Sequence, residues 1–322
     1  MPFRAWIRTV RRWIQYAFYD WTRGMPMYKR AITWSAILIQ GYAIWFALSR
    51  PQVWVWMWRE NKIPLFLGVF LLYLIGERVM HGMVTSEIVR KARLEADQIA
   101  AREIQQTLQP GKLEDLPGYE LQGFYKPLRE VGGDYFDVID LSENRSLFIL
   151  ADVSGKGMPA ALLAANIQAL VRIIASAESS PLAMAQQINK HLSRYTPLDR
   201  FATAVFLVLN RDSGELTYVN AGHNAPLVSS SGRSTIFLEA TGLPLGLYPD
   251  AKFETRTASM DRGGTLLLFS DGLTDSIQGE QPENRLREAI AERAGQTMDN
   301  LKLLIDTKFN EDDVTILLVR RA

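Results

Sequence analysis

The stretch Leu147–Gly157 reads LFILADVSGKG, an apolar run with an acidic residue near its end. A run rich in Leu, Ile and Phe is typical of a buried β-strand, and Asp152 falls where that strand would end. Three distant segments repeat the pattern: GGDYFDVID (132–140), TLLLFSDGLTD (265–275) and EDDVTILLV (311–319). One such Asp is an ordinary turn or capping residue. Four of them favour the convergence of carboxylates at the edge of a hydrophobic core.

The four clusters predict a site for a divalent metal ion. Two carboxylates about 5 Å apart repel each other by roughly 3 kcal/mol at an effective dielectric constant near 20, so several together require a cation. Carboxylate oxygens without thiolates or clustered imidazoles favour Mg²⁺, Mn²⁺ or Ca²⁺ over Zn²⁺ or copper. The chain has no cysteine and three histidines, which excludes disulfides, thiolate metal sites and cysteine nucleophiles.

The N-terminal part differs in composition from the rest. Residues 1–30 carry seven Lys or Arg against one Asp, and all eight tryptophans precede residue 59. Residues 31–49 contain no charge and as a helix would extend about 28 Å, close to the thickness of the hydrocarbon core. Residues 63–76 form a second uncharged run of about 21 Å, which spans a bilayer when the helix continues past it.

These features predict a basic amphipathic segment at 1–30 and a membrane hairpin of two transmembrane helices at 31–84. Because Lys and Arg flank the outer ends of the pair, both ends are expected in the cytoplasm, with the C-terminal domain at the inner (cytoplasmic) membrane. One alternative is a single span with a buried or re-entrant second run, which would put the C-terminal domain outside the cell. Another is that the first segment is a basic tail. Membrane lipid is an expected partner, and binding of nucleic acid is not expected.

Residues 85–109 predict a connector helix, because they lack Gly and Pro, contain many helix formers and end at Pro110-Gly111. Small and apolar residues recur along it at Ile88, Ala92, Ala96, Ile99, Ile104 and Leu108. This stripe favours a signalling helix at 85–110 that forms a homodimer, and a solvated stalk is the alternative.

Residues 111–322 read as a domain with mixed helices and strands. Strands are predicted at 119–126, 133–141, 146–153, 201–210, 215–220, 225–230, 234–238, 252–258, 264–270 and 313–320. Helices are predicted at 158–177, 181–195, 283–294 and 297–308. The strands come in runs joined by tight turns, and the helices come in pairs, which favours largely antiparallel sheets in an α+β domain.

Six motifs occur in order within residues 132–315: GGDYFD, LADVSGKGMPAALLAA, NAGHNAP, LPLG, FSDGLTD and EDDVT. Together they closely resemble the metal-dependent protein phosphatases of the PPM type, in particular the bacterial SpoIIE-like branch, whose members regulate sporulation and stress responses. The resemblance covers about residues 105–320, and the preceding IQQTLQP segment (104–110) shares it.

The resemblance implies a PPM-type β-sandwich flanked by helices, with two Mn²⁺ or Mg²⁺ ions in a cleft between the sheets. The implied ligands are Asp134 for the first metal, Asp152 as a bridge, the Val153 carbonyl, and Asp271 and Asp312 for the second metal. Asp313 is a neighbour that could replace Asp312. Paired metals activate water and neutralise charge during in-line attack on a phosphomonoester, without a covalent enzyme intermediate.

Some residues have less certain roles. Asp137 and Asp275 are either supports for the metal ligands or solvent-facing turn residues. His223 lies near the cleft or is a hydrogen-bonded structural histidine. Ser154 stands where eukaryotic members of the family carry a histidine proposed as a general acid. Arg129 is the nearest candidate for their phosphate-binding arginine, without a secure alignment.

The sequence therefore predicts a membrane-anchored phosphatase that hydrolyses phosphoserine or phosphothreonine on a regulatory protein. An anti-sigma-factor antagonist is the substrate type that the resemblance implies. The alternative is a catalytically inactive scaffold of the same fold that binds a partner protein. A Ca²⁺-binding structural module is disfavoured because the DxDxDG spacing is missing.

Overall fold

The computed structural model describes residues 49–111, 113–176, 179–197, 199–230, 235–277, 281–291, 297–305 and 312–322, with residues 35, 38–39, 41–42 and 45–46. The predicted basic segment at 1–30 and most of the first apolar run at 31–49 lie outside the described residues. The chain divides into two compact units, Met1–Leu94 and Glu95–Ala322.

The helices near the N-terminus are α1 (Pro51–Arg59) and α2 (Ile63–Leu108). α2 is 46 residues long, so the second apolar run continues without a break into the predicted connector helix. Among the described residues, α2 is the one helix that is long and apolar enough to cross a membrane.

The described part of Glu95–Ala322 contains two five-stranded sheets whose named strands all pair antiparallel. The first has the strand order β1-β10-β9-β6-β7 and the second β2-β3-β4-β5-β8. The strands are β1 (Tyr119–Lys126), β2 (Tyr135–Ser142), β3 (Arg145–Val153), β4 (Ala202–Asn210), β5 (Glu215–Ala221), β6 (Leu227–Ser229), β7 (Ile236–Phe237), β8 (Arg256–Ser259), β9 (Thr265–Phe269) and β10 (Val314–Arg321). The prediction of an α+β domain with antiparallel sheets is confirmed.

Five helices complete this unit within the described residues: α3 (Met158–Ile174), α4 (Pro181–Tyr195), α5 (Asp271–Asp275), α6 (Pro282–Ala291) and α7 (Thr297–Leu303). The five-residue helix α5 was not predicted. β8 begins at Arg256 rather than at the predicted residue 252, because Phe253 instead makes an isolated bridge to Gly242.

Alternation along the strands builds the layers. In β3, Phe148 and Leu150 pack into the core between the sheets, whereas Leu147 and Ile149 pack under α3 and α4. The other sheet buries its outer face under α6 and α7. Each sheet is therefore covered on both faces, which explains why its central strands are apolar runs.

Antiparallel pairing also places the strand ends that matter. The start of β2 lies beside the end of β3, where Tyr135 pairs with Ala151. The end of β9 lies beside the start of β10, where Phe269 pairs with Ile316. All four acidic clusters therefore fall at the ends of paired strands.

Candidate metal centre

The sheet that contains β3 contributes Asp134 and Asp152. Asp134 precedes β2 and is 1% exposed, and its carboxylate accepts a hydrogen bond from the Thr315 hydroxyl on β10. Asp152 continues the alternation of Phe148 and Leu150, so its side chain points between the sheets. The bond from Thr315 to Asp134 joins the two sheets at this end of the sandwich.

The other sheet contributes Asp271, Asp312 and Asp313. Asp271 is the first residue of α5, which begins one residue after β9, and Asp312 and Asp313 directly precede β10. The buried Ser270 hydroxyl donates to the Asp313 carbonyl at 3.0 Å and accepts from the Thr315 N–H at 2.9 Å. This hydroxyl fixes the start of α5 to the start of β10, which keeps the acidic residues together.

Electrostatics show that these carboxylates form one cluster. Burial, together with the negative charges of Asp271, Asp312 and Asp313, raises the pKa of Asp152 from 3.8 to about 7. Burial and the charge of Asp152 likewise raise the pKa of Asp134 well above its usual value. Burial and the charge of Asp312 raise the pKa of Asp271. Each carboxylate is thus disfavoured as an anion by its buried position and by its neighbours.

Asp312 and Asp313 differ in what they contact. Asp312 is partly exposed, and its Oδ2 lies 2.9 Å from the Lys156 ammonium. Asp313 is buried, and its carboxylate accepts hydrogen bonds from the backbone N–H groups of Leu128 at 2.8 Å and Gly133 at 2.6 Å. Asp313 therefore holds the loop before β2, whereas Asp312 is partly exposed and pairs with Lys156.

Gly132 lets this loop approach the cluster closely. A Cβ at position 132 would lie 2.2 Å from the Tyr125 hydroxyl and 2.3 Å from Asp313 Oδ2. No side chain fits there without moving one of these groups. The structure thus gives a direct steric reason for glycine at position 132.

Two arginines from other loops, Arg200 and Arg129, lie against the loop after β3. Arg200 Nη1 donates to the Ser154 carbonyl at 3.1 Å, and the Ser154 hydroxyl accepts a hydrogen bond from the Phe201 N–H at 3.0 Å. Ser154 thus ties the loop to the start of β4. Arg129 lies close to Gly157, with its Nη1 3.8 Å from where a Cβ at that position would be.

Asp137 does not belong to the cluster. It lies on the helix-facing side of β2, and both of its carboxylate oxygens accept hydrogen bonds from Arg172 of α3, at 2.6 and 2.8 Å. Both interpretations of Asp137 from the sequence are therefore wrong, since it is neither beside the ligands nor facing solvent. Asp275 is exposed at the end of α5, and its charge raises the pKa of Asp271.

His223 is buried and hydrogen-bonded. Its Nδ1 lies 2.8 Å from the Thr203 hydroxyl, and its backbone N–H donates to Asn220 Oδ1 at 2.8 Å. Burial lowers its pKa to about 4, so the ring is neutral at physiological pH. Thr203 pairs directly with Asp152 across β3 and β4, so both side chains face the same side of the sheet and His223 lies on the side of the cluster.

The donor set suits a hard divalent cation. Within the described residues, no three acidic or histidine side chains already surround a single ligand position. The Asp134 carboxylate accepts a hydrogen bond from Thr315, Asp312 pairs with Lys156, and Asp313 accepts hydrogen bonds from backbone N–H groups. The negative charges of these buried carboxylates repel one another, and a bound cation would remove that repulsion. Because their donors are carboxylate oxygens, the residues fit Mg²⁺ or Mn²⁺.

Two helix-covered sheets with an acidic cluster at one end define a PP2C-type phosphatase domain. Residues 142–322 match the family described as Stage II sporulation protein E (SpoIIE), and the chain belongs to this family. The RsbU and RsbW domains of Rv1364c from Mycobacterium tuberculosis are 26% identical, with a TM-score of 0.57 over 64% of this chain and 61% of that chain. RsbX in complex with magnesium shares the fold, at 20% identity and a TM-score of 0.55 over 66% of this chain and 99% of that chain.

The chain is also similar in sequence to a phosphoserine phosphatase and to one further bacterial protein. The phosphoserine phosphatase RsbU of Bacillus subtilis is 28% identical over 77% of this chain and 78% of RsbU. Protein IcfG of Synechocystis sp. is 26% identical over 82% of this chain and 47% of IcfG. The chain thus spans most of RsbU but about half the length of IcfG.

Proposed function

We propose that this protein is a metal-dependent serine/threonine phosphatase that acts on a phosphorylated regulatory protein. The observation that carries the proposal is the gathering of Asp134, Asp152, Asp271 and Asp312 at one end of the sandwich, where their carboxylates perturb one another. The sequence identity of 28% between this chain and the phosphoserine phosphatase RsbU, over most of the length of both, supports the proposal. An anti-sigma-factor antagonist is the proposed type of substrate.

In this proposal the four aspartates and the Val153 carbonyl hold two Mn²⁺ or Mg²⁺ ions. When bound, such ions supply activation of water and neutralisation of the phosphoryl charge. The surrounding residues fix the ligands in place. Thr315 orients the Asp134 carboxylate, Asp313 holds the loop that carries it, and the start of α5 positions Asp271.

The test is Mn²⁺-dependent release of phosphate from a phosphoserine peptide and from p-nitrophenyl phosphate by the full chain. Asp271→Asn should lower activity by at least about a hundredfold, because it replaces a negatively charged carboxylate ligand of the proposed metal site with a neutral amide. Asp299→Asn, an exposed aspartate on α7, is the matched control and should retain activity. Inactivity of the wild-type protein would favour the scaffold, and equal activity of wild type and Asp271→Asn would reject the metal assignment.

The proposed layout is a basic segment at 1–30, a membrane hairpin at 31–84, a connector at 85–110 and the catalytic domain at 111–322. The uncharged run at 31–49 and the apolar first part of α2 support it. In this arrangement the catalytic domain is cytoplasmic at the inner membrane, and the connector dimerises. Reporter fusions after residue 50 and at the C-terminus should then report outside and inside, and cross-linking of single cysteines placed along 85–109 should give dimers.

A further inference from the structure

Two glutamines near the end of α2 contact the backbone of the segment that carries Asp134. Gln105 makes two hydrogen bonds to Gly132: its Nε2 donates to the carbonyl at 2.7 Å, and its Oε1 accepts from the N–H at 3.1 Å. Gln109 Nε2 donates to the Asp134 carbonyl at 2.9 Å. All of these residues lie within the unit Glu95–Ala322.

Gly132 is buried and has no side chain, so its position depends on its backbone groups. Without Gln105, its N–H and its carbonyl would both lose a partner in a buried place, which is costly. Asp313 holds the same loop from the opposite side, through the N–H groups of Leu128 and Gly133. The loop before β2 is thus fixed between a carboxylate of the acidic cluster and a glutamine of α2.

Apolar packing alone does not fix the end of α2 against α3. A cavity of about 130 Å³ lies between the two helices. Its apolar lining includes Ala101, Ile104 and Leu108 of α2 and Met158, Ala161 and Leu162 of α3. The Gln168 side chain of α3 donates a hydrogen bond to the Leu108 carbonyl. Directional hydrogen bonds therefore determine where α2 ends relative to the loop, since a void leaves the facing side chains without close contacts.

From these contacts, and resting on the proposed metal site, we infer that Gln105 and Gln109 are positioning residues that hold Asp134 where it binds the first metal ion. Neither glutamine touches the reacting atoms. Both are uncharged, so they orient the loop without adding to the repulsion among the carboxylates. Groups that orient a metal ligand from behind change metal affinity by about 10- to 100-fold when removed.

The experiment measures Mn²⁺ binding to the full chain, purified in detergent and stripped of metal, by the electron paramagnetic resonance signal of free Mn²⁺. Gln105→Ala should raise the Mn²⁺ concentration at half-saturation about tenfold, and Gln109→Ala should raise it less because one hydrogen bond is lost. Gln106→Ala is the matched control: it removes the same residue type from the same turn, where the side chain is exposed. An unchanged affinity in Gln105→Ala, or an equal loss in Gln106→Ala, would overturn the inference.

Gln105→Glu separates positioning from charge. The carboxylate can accept from the Gly132 N–H but cannot donate to the Gly132 carbonyl. It also adds a negative charge near the cluster, which by itself would strengthen binding of a cation. Positioning therefore predicts weaker Mn²⁺ binding by Gln105→Glu, and tighter binding than in the wild type would contradict it.

Thermal unfolding distinguishes positioning from a general loss of stability. A structural defect lowers the melting temperature equally with and without metal, whereas weaker positioning shrinks the rise in melting temperature that Mn²⁺ produces. At saturating Mn²⁺ the catalytic rate of Gln105→Ala should return to within about threefold of the wild type, because the loss lies in metal affinity. If the wild-type protein binds no Mn²⁺, the proposed function fails. If it binds Mn²⁺ and the glutamine variants bind it equally well, only the positioning role fails.

Discussion

The Lys156 ammonium lies 2.9 Å from Asp312 Oδ2, an ion pair between the loop after β3 and the residue pair before β10. Lys156 also partly offsets the rise in the pKa of Asp271 that burial causes, so its charge reaches both proposed ligands of the second metal. The positively charged Lys156 side chain thus lies near Asp271 and Asp312, the two aspartates proposed to bind the second metal ion. Metal binding at Asp312 must compete with this lysine.

Lys156→Met should therefore tighten Mn²⁺ binding. Partly exposed ion pairs contribute about 0.2–1 kcal/mol, so the dissociation constant should fall by a factor of roughly 1.4 to 5. Isothermal titration calorimetry at low ionic strength would measure the change, with Lys190→Met on the exposed face of α4 as the control. Weaker Mn²⁺ binding by Lys156→Met would show that the lysine supports the site rather than competing for it.

The raised pKa of Asp152 predicts that the stability of the metal-free protein falls as the pH rises. This pKa is about 7 in the folded state against 3.8 ordinarily, so between these values the folded state binds more protons than the unfolded state. The free energy of unfolding should then fall as the pH rises from about 4 to about 7. The melting temperature in EDTA should be higher at pH 5 than at pH 7.5, and Asp152→Asn should reduce the difference. A melting temperature that rises over this range equally in both proteins would contradict the prediction.

Gly132→Ala should damage both stability and metal binding. The added methyl group would lie 2.3 Å from Asp313 Oδ2, so the contact that holds the loop must break or shift. Such overpacking typically costs about 1–3 kcal/mol. Gly111→Ala is the control, since its added methyl group meets nothing within 4 Å. Melting temperatures and Mn²⁺ titrations of the two variants should differ clearly, and equal behaviour would refute the steric account.

Two buried aspartates three residues apart should behave in opposite ways. Asp137→Asn weakens the interaction with Arg172 and should destabilise the domain by about 1–3 kcal/mol, while leaving Mn²⁺ affinity within about twofold. Asp134→Asn should relieve repulsion within the cluster and abolish binding of the first metal. Chemical denaturation and Mn²⁺ titration of both variants test this, and loss of Mn²⁺ binding by Asp137→Asn would place that residue back in the site.

The strands and the acidic positions at their ends could be predicted because both signals are local. The period of the apolar residues marks β3, β9 and β10, and an Asp next to each run marks its end. The different contacts of Asp312 and Asp313 could not be predicted, because adjacent residues share one local pattern and differ only in which way they face.

Tertiary contacts account for what the sequence did not show. Arg172 reaches Asp137 from a helix 35 residues away, and Gln105 reaches Gly132 across 27 residues. Nothing in the spacing of either pair marks the contact. The segment 104–110 carried a signal only through its resemblance to the family, which did not reveal that Gln105 and Gln109 contact the loop before β2.

The claim that acidic residues from four separated segments form one metal centre is tested most directly by anomalous diffraction from crystals of the full chain grown with Mn²⁺. Two anomalous peaks are expected near the start of β2, the end of β3, the end of β9 and the start of β10, in contact with Asp134, Asp152, Asp271 and Asp312. Saturating Mn²⁺ with no peak there, or with peaks bound only elsewhere, would contradict this claim.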